Sequence, residues 1–163
     1  MSRLEIAGLG AWGTNFSSWE SFSSGINTGT WQAETVLQPT MIPARERRRA
    51  PQSVKLAVEV MTQACEMAGL DPAGTAAVFS SAMGDMQITD YLCRTLATSP
   101  AALSPTRFHN SVHNATTGYW SIAAGSNAAT NAVSAYNYTA PMAFLEAAIQ
   151  TLEDELPVIL VTQ

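Results

Sequence analysis

The chain has 163 residues, 47% of them apolar and 13% charged, with a formal net charge of −5. That length suits one domain with a sizeable hydrophobic core and is too short for two, and the acidic balance argues against nucleic acid as the main partner, because binding a phosphate backbone calls for a basic surface. No apolar run approaches the roughly 20 residues that cross a bilayer, and residues 1 to 15 lack the basic start and apolar stretch of a signal peptide, so one cytoplasmic domain, 1 to 163, is expected.

In chain order, "RLEIAGL" (3–9) alternates well enough for a first strand leading into the turn "GLGAWG". A short helix is expected at 16–23, with Asn15 as its cap and Trp19 and Phe22 three apart on one face. Residues 25–43 read as loop with one short strand around Val36. The next helix is the clearest: Pro51 suits its first turn, Val54, Ala57, Val58, Met61, Ala64, Cys65 and Ala68 recur at spacings of three and four, and Gly69 stands where a C-terminal cap belongs. "TAAVFSSA" (75–82) reads as a buried strand, followed by a helix over 86–97. After the break "SPAALSP" a helix is expected over 110–124, then a strand at 129–135, a helix at 139–153 and a final buried strand "PVILVT". Strands alternating with helices define an α/β layered fold, with a mainly parallel mixed sheet and helices on both faces.

Several stretches resemble chemistry. "GLGAWG" fits G-x-G-x-x-G at Gly8, Gly10 and Gly13, but no clear helix begins at Gly13 and Glu34 does not end a second strand, so a tight strand-to-loop turn is the better reading than a dinucleotide site. His109 and His113, at i and i+4, would share one helical face like a zinc-binding H-E-x-x-H pair. Here the sequence is "HNSVH": Asn110 replaces the general-base glutamate and no third ligand follows, so packing histidines are expected over a metal site. Cys65 and Cys93 occupy apolar helix positions without metal-ligand spacing and are expected to be buried reduced thiols. "ARERRR" (44–49) holds four of the eight cationic side chains, Arg45, Arg47, Arg48 and Arg49, against an acidic background; it suits either an acidic or phosphate-bearing partner or a solvated loop before a helix. A low charge content also implies that some apolar surface meets a partner.

Four stretches together, "IAGLGAWG", "FSSAMGD", "SPTRFHNSVHNATTGYWSIAAG" and "LEAAIQTLEDELPVILVTQ", resemble the N-terminal half of a β-ketoacyl synthase. The arginines Arg47 to Arg49 and the Ser-Val-His-Asn motif at 111–114 resemble, more narrowly, the short chain length factors of aryl polyene pathways. The resemblance implies a thiolase-like fold of which this chain covers about the first half. Ketosynthases carry a nucleophilic cysteine at a strand-to-helix turn. A gap-free register through Gly118, Gly125 and the pair Ala147 and Ala148 puts Asn137 there, a shift of one residue gives Tyr136, and no cysteine lies between 94 and 163. His109 and His113 do not match the catalytic histidines of the family, which belong to its second half. The resemblance therefore implies a subunit without catalytic residues of its own and without a cofactor or metal, pairing with a catalytic ketosynthase through residues 80 to 125 and shaping its acyl tunnel in type II polyketide biosynthesis. By position, Met83, Met86, Thr89, Asp90, Cys93, Arg107, Phe108, His109, His113 and Asn114 are its tunnel or interface candidates, and Arg45, Arg47, Arg48 and Arg49 its candidate contacts to an acyl carrier protein. Two competing readings stay open: a self-acting thiolase-like acyltransferase or hydrolase using Ser111 or Ser134 with a histidine, and a metal-binding module at His109 and His113.

Overall fold

The computed structural model describes residues 3–162. Among them, seven α-helices and three strands run in the order α1 (Trp19–Thr28), α2 (Ala44–Arg47), α3 (Gln52–Ala68), β1 (Ala76–Ser80), α4 (Met86–Thr98), α5 (Pro105–His109), α6 (Ala115–Ala124), β2 (Thr130–Val133), α7 (Thr139–Asp154) and β3 (Val158–Thr162), with short 3-10 turns at Pro100–Ala102 and Tyr136–Tyr138. The strands form one parallel sheet in the order β2-β1-β3.

The central strand explains the layering. β1 is flanked on both edges, and all of its residues after Ala76 are buried, so its sequence is continuously apolar up to Ser80. Ala77 and Phe79 face a cluster formed by Val54, Ala57, Val58 and Met61 of α3 and Trp120 of α6. Val78 faces the other way, onto Ala143 and Ala147 of α7. Alternate side chains thus bind helices to opposite faces, as the pleat requires. Ser80 is buried at the strand end because its hydroxyl donates to the Val161 carbonyl at 3.1 Å. α3 is flanked by Pro51 at its N-cap and by Gly69 at its C-cap, whose φ of 66° places it in the left-handed region that closes helices.

Four expectations are corrected. Residues 3–9 pair with no strand: they run along α3, and an apolar cavity of about 490 Å³ separates them from β3 and α7. The glycines mark that close approach instead of a strand-ending turn, since a Cβ at Gly8 would strike the Ala64 carbonyl and one at Gly10 the Val60 carbonyl. The first helix starts at Trp19, capped by Ser18 in a reciprocal box with Ser21, while Asn15 is occupied by Gln32, to whose carbonyl its side-chain amide donates at 3.2 Å. Val36 is exposed and lies in no strand, the segment being tied back by isolated bonds such as Thr35 N–H to the Thr14 carbonyl and the Thr35 hydroxyl to the Gly13 carbonyl. Finally, the helix expected at 110–124 starts only at Ala115, and a separate short helix, α5, ends at His109 before it. Asn110 is buried between them, donating to the Arg49 carbonyl at 3.1 Å and accepting from the Tyr119 hydroxyl at 3.3 Å, and that inward anchor interrupts the helical path.

Candidate functional site

The C-terminal end of β1 feeds a tight turn into α4. Gly84, at φ 64°, makes the bend, and its N–H donates to the Ser81 hydroxyl. Asp85 then caps α4: one carboxylate oxygen accepts the Ile88 N–H at 2.9 Å and the other accepts the Ser53 hydroxyl of α3 at 2.7 Å. From this fixed start, Met86, Thr89, Asp90 and Cys93 project along the exposed side of α4, and Met83 stands exposed just before it. The Asp90 carboxylate is taken by Arg94 at 2.8 Å, and that bond holds the guanidinium pKa above its ordinary value.

α5 docks beside α4. Ser104 caps it, accepting the Arg107 N–H, and the Arg107 guanidinium lies 4.0 Å over the Tyr91 ring of α4. Phe108, 60% exposed, and His109 complete the helix. His113 falls in the turn before α6, its Nε2 3.2 Å from the Ser81 carbonyl, and Asn114 is the residue from which α6 starts. The two histidines therefore do not share a helical face: His109 ends α5 and His113 lies outside both helices. Among the described residues, no three His, Cys, Asp or Glu side chains converge as metal ligands.

The second focus is the turn from β2 to α7. Tyr136 adopts φ 50°, a left-handed conformation that costs a tyrosine energy; it is held by the Thr139 hydroxyl, which donates to the Tyr136 carbonyl at 2.7 Å and accepts the Ala135 N–H at 2.9 Å. Asn137 is exposed in the middle of this turn. Periodicity carries no sign of this strain, because no glycine, asparagine or aspartate marks the left-handed residue. Ser134, beside the turn, donates to the Ala82 carbonyl at 3.1 Å, and Ser111 donates to the Phe108 carbonyl at 2.8 Å. Both hydroxyls are thus directed at backbone oxygens, whereas a nucleophilic serine needs its proton on a base.

The arginine run divides. Arg47 is half-buried and donates to the Pro39 carbonyl at 3.3 Å, Arg45 is exposed on α2, and Arg48 and Arg49 border a cleft that Arg107 also lines. The cysteines divide too. Cys65 is 2% exposed, and burial, with the Glu66 and Asp71 carboxylates adding to it, pushes its thiol up to about 11. Cys93 is exposed, contrary to the reading of both as buried thiols, because it sits on the outer stripe of α4 with Met86. At pH 8 a thiol-specific reagent is expected to label Cys93 more than about tenfold faster than Cys65, since only accessible thiolate reacts; mass spectrometry of the quenched protein reads the difference. Because the folded chain holds the Cys65 proton more tightly than an ordinary thiol does, the stability this contributes is present below about pH 9 and lost as pH rises through about 11.

A parallel sheet between helical layers, with a strained strand-to-helix turn at one strand end, defines a layered α/β protein. The sequence model described as the beta-ketoacyl synthase N-terminal domain matches residues 19–163. The chain belongs to that family. Among solved structures it resembles a ketosynthase (ApeO) in complex with its chain length factor (ApeC) from Xenorhabdus doucetiae, at TM-score 0.80 and 22% identity over 99% of this chain and 67% of that one. It also resembles the type II polyketide synthase assembly AntDE:AntF, an acyl-carrier protein in complex with its ketosynthase bound to the hexaketide, at TM-score 0.71 and 16% identity over 89% of this chain and 46% of that one. A beta-ketoacyl synthase from Burkholderia phymatum STM815 aligns at TM-score 0.76 and 16% identity over 96% of this chain and 45% of that one. At these identities the likeness is one of fold, and the chain spans less than half the length of the last two. No curated protein sequence matches it. Among the described residues, no helix is long and apolar enough to cross a membrane.

Proposed function

We propose that this chain is a non-catalytic chain length factor that pairs with a catalytic β-ketoacyl synthase and shapes the acyl tunnel in type II polyketide biosynthesis of the aryl polyene kind. The observation that carries the reading is the β2-to-α7 turn: in a family whose chemistry rests on a cysteine thiolate at such a turn, this one reads "SAYNYT", with Asn137 or Tyr136 at the nucleophile position. An amide or a phenol does not replace a low-pKa thiol as acyl acceptor, and both cysteines lie elsewhere, on α3 and α4. The exposed apolar side chains of residues 80 to 125, Met83, Met86, Leu96, Phe108, Val112 and Ile122, support pairing through that face. Within the pair, Met83, Met86, Thr89, Asp90, Cys93, Arg107, Phe108, His109, His113 and Asn114 are the interface and tunnel side, and Arg45 and Arg47 to Arg49 the side toward an acyl carrier protein. A tunnel wall selects product length by steric fit, at about 1–3 kcal/mol per methylene admitted or refused.

Co-expression with a catalytic type II ketosynthase is expected to give a stable complex on size-exclusion chromatography and no thioester turnover by this chain alone. In the reconstituted pair, Met86→Ala or Phe108→Ala is expected to lengthen the product by one or more two-carbon units. A stable monomer with its own activity overturns the reading, and unchanged product length in both variants removes those two residues from the tunnel.

A further inference from the structure

β3 has the sequence of a strand covered on both edges, yet its one sheet partner among the described residues is β1. Val158, Ile159, Leu160 and Val161 form a continuous apolar run, packed alternately toward the α3 side and the α7 side. No charge, proline or bulge lies within Val158–Thr162 to blunt the free edge. The opposite edge strand, β2, is shorter and carries exposed Asn131, which donates to Glu146 at 2.8 Å. Beside β3 two gaps follow one another: the apolar cavity of about 490 Å³ runs along Pro157 to Leu160, and a second, of about 320 Å³, along Leu160 to Thr162. The first touches α3 at Ala64 and Ala68 and α7 at Phe144 and Ala148. Those helices cover opposite faces of the sheet, so the gap crosses the sheet plane at the free edge of β3. Its far wall is the 4–9 segment, whose alternation matches a strand and whose Leu4 and Ile6 are exposed. Two strand-like sequences thus face each other across one slot.

The slot also has a negative end. α3 and α7 both finish beside it with no basic residue in the last turn, so the partial negative charge of each helix C-terminus is uncompensated there. Glu66 and Asp71 act electrostatically on Cys65 in its wall, and Glu153, Asp154 and Glu155 are exposed just before Pro157. Arg3, next to Leu4, is held by Glu5 at 3.3 Å, and no lysine or arginine follows Arg107 in the chain. We propose that the slot accepts an extended strand of a partner polypeptide, apolar toward both faces, with a lysine or arginine at its end beside Pro157. Such a strand pairs its backbone with the outward N–H and C=O groups of β3 and covers Leu4 and Ile6. Only a polypeptide backbone supplies the donors and acceptors that a free edge calls for, which a small apolar ligand lacks. None of the lining residues belongs to the 80–125 face proposed for pairing with a ketosynthase, so the two readings fail separately.

Hydrogen exchange of the purified full chain, read by mass spectrometry, tests the slot with two end-capped peptides, Lys-Val-Ala-Ile-Thr-Val and its reverse, one for each strand direction. At about 1 mM one of them is expected to slow amide exchange of residues 158–162 saturably and at least about tenfold. Replacing the peptide's lysine by glutamate, or making the Glu153→Gln/Asp154→Asn double variant of the protein, is expected to weaken binding at least about threefold, a difference that shrinks at high salt. Both side chains are exposed, so the double variant keeps its fold. N-methylation of alternate peptide amides is expected to abolish protection for at least one of the two alternating sets, because it removes donors aimed at a neighbouring strand. No protection by either peptide overturns the slot, unchanged binding of both N-methylated sets overturns strand pairing, and indifference to the charge changes overturns the basic end. Equal protection by decanoate assigns the space to a small apolar ligand. Protection that grows with the concentration of the chain alone, with a dimer on size-exclusion chromatography, assigns it to a second copy, and either result overturns the partner strand.

Discussion

Trp120→Ala is expected to destabilise the chain by about 3–5 kcal/mol, the range for deleting a buried aromatic ring, and to lower its midpoint in urea accordingly. Trp120 is fully buried and heads the buried side chains by volume. It fills the space between α6, α3 and the sheet, among Val54, Val58, Met61 and Phe79. The same side chain carries a cost, because its indole N–H is buried without a partner. An unmet buried donor costs about 1–3 kcal/mol, so Trp120→Phe, which sheds that donor and keeps part of the ring, is expected to lose less than half of what alanine loses. Equal losses in the two variants would overturn this account, because neither the ring that phenylalanine keeps nor the donor it sheds would then count. Through the Tyr119 hydroxyl, which donates to Asn110, α6 also steadies the turn after α5, so the alanine variant is expected to weaken the proposed pairing with a ketosynthase through its scaffold.

Gly10→Ala carries the next largest expected effect. The added methyl would meet the Val60 carbonyl, a backbone atom of α3 that has no rotamer to escape into. Either the 8–13 segment lifts away from α3 or the helix shifts, at about 1–3 kcal/mol, typical of overpacking. For a chain of this size each kcal/mol lowers the melting temperature by about 3 °C, so a fall of roughly 3–9 °C in thermal unfolding is expected. A contrasting variant controls for glycine's own chain entropy: Gly74, whose Cβ would meet nothing within 4 Å and whose φ is not positive, is expected to tolerate alanine with a change below about 1 kcal/mol. An unchanged melting temperature for Gly10→Ala would show that the glycine spacing answers to something other than contact with α3.

α3, β1, α7 and β3 were legible in the chain because each satisfies its own local rule. The three-and-four recurrence of Val54, Ala57, Val58, Met61 and Cys65 ends at a glycine that closes the helix, and the continuous apolar run of β1 belongs to a strand covered on both faces. The early segment misled for the opposite reason. Alternation in "RLEIAGL" matches a strand, but a strand forms only where a neighbour offers its backbone, and here a cavity lies on the β3 side. Similarly, a helix is expected from residue 110, while its later start at Ala115 goes with two partners of Asn110, Arg49 and Tyr119, that no local window joins. Cys93 has the spacing of a core residue in a helix that presents this stripe to solvent.

The candidate site divides along the same line. The absence of a cysteine from the "SAYNYT" stretch, the short charge inventory and the arginine run are properties of composition and order, which folding does not alter. That Tyr136 is strained, that His109 and His113 part onto separate elements, and that Arg107 joins Arg48 and Arg49 while Arg47 turns to the Pro39 carbonyl are outcomes of packing. The sequence by itself determined the layered α/β fold and the lack of a cysteine in "SAYNYT", because periodicity and residue identity act locally. Only the tertiary structure decided which cations share a cleft, because a site built from α3, α4 and α5 depends on how those elements meet across the core.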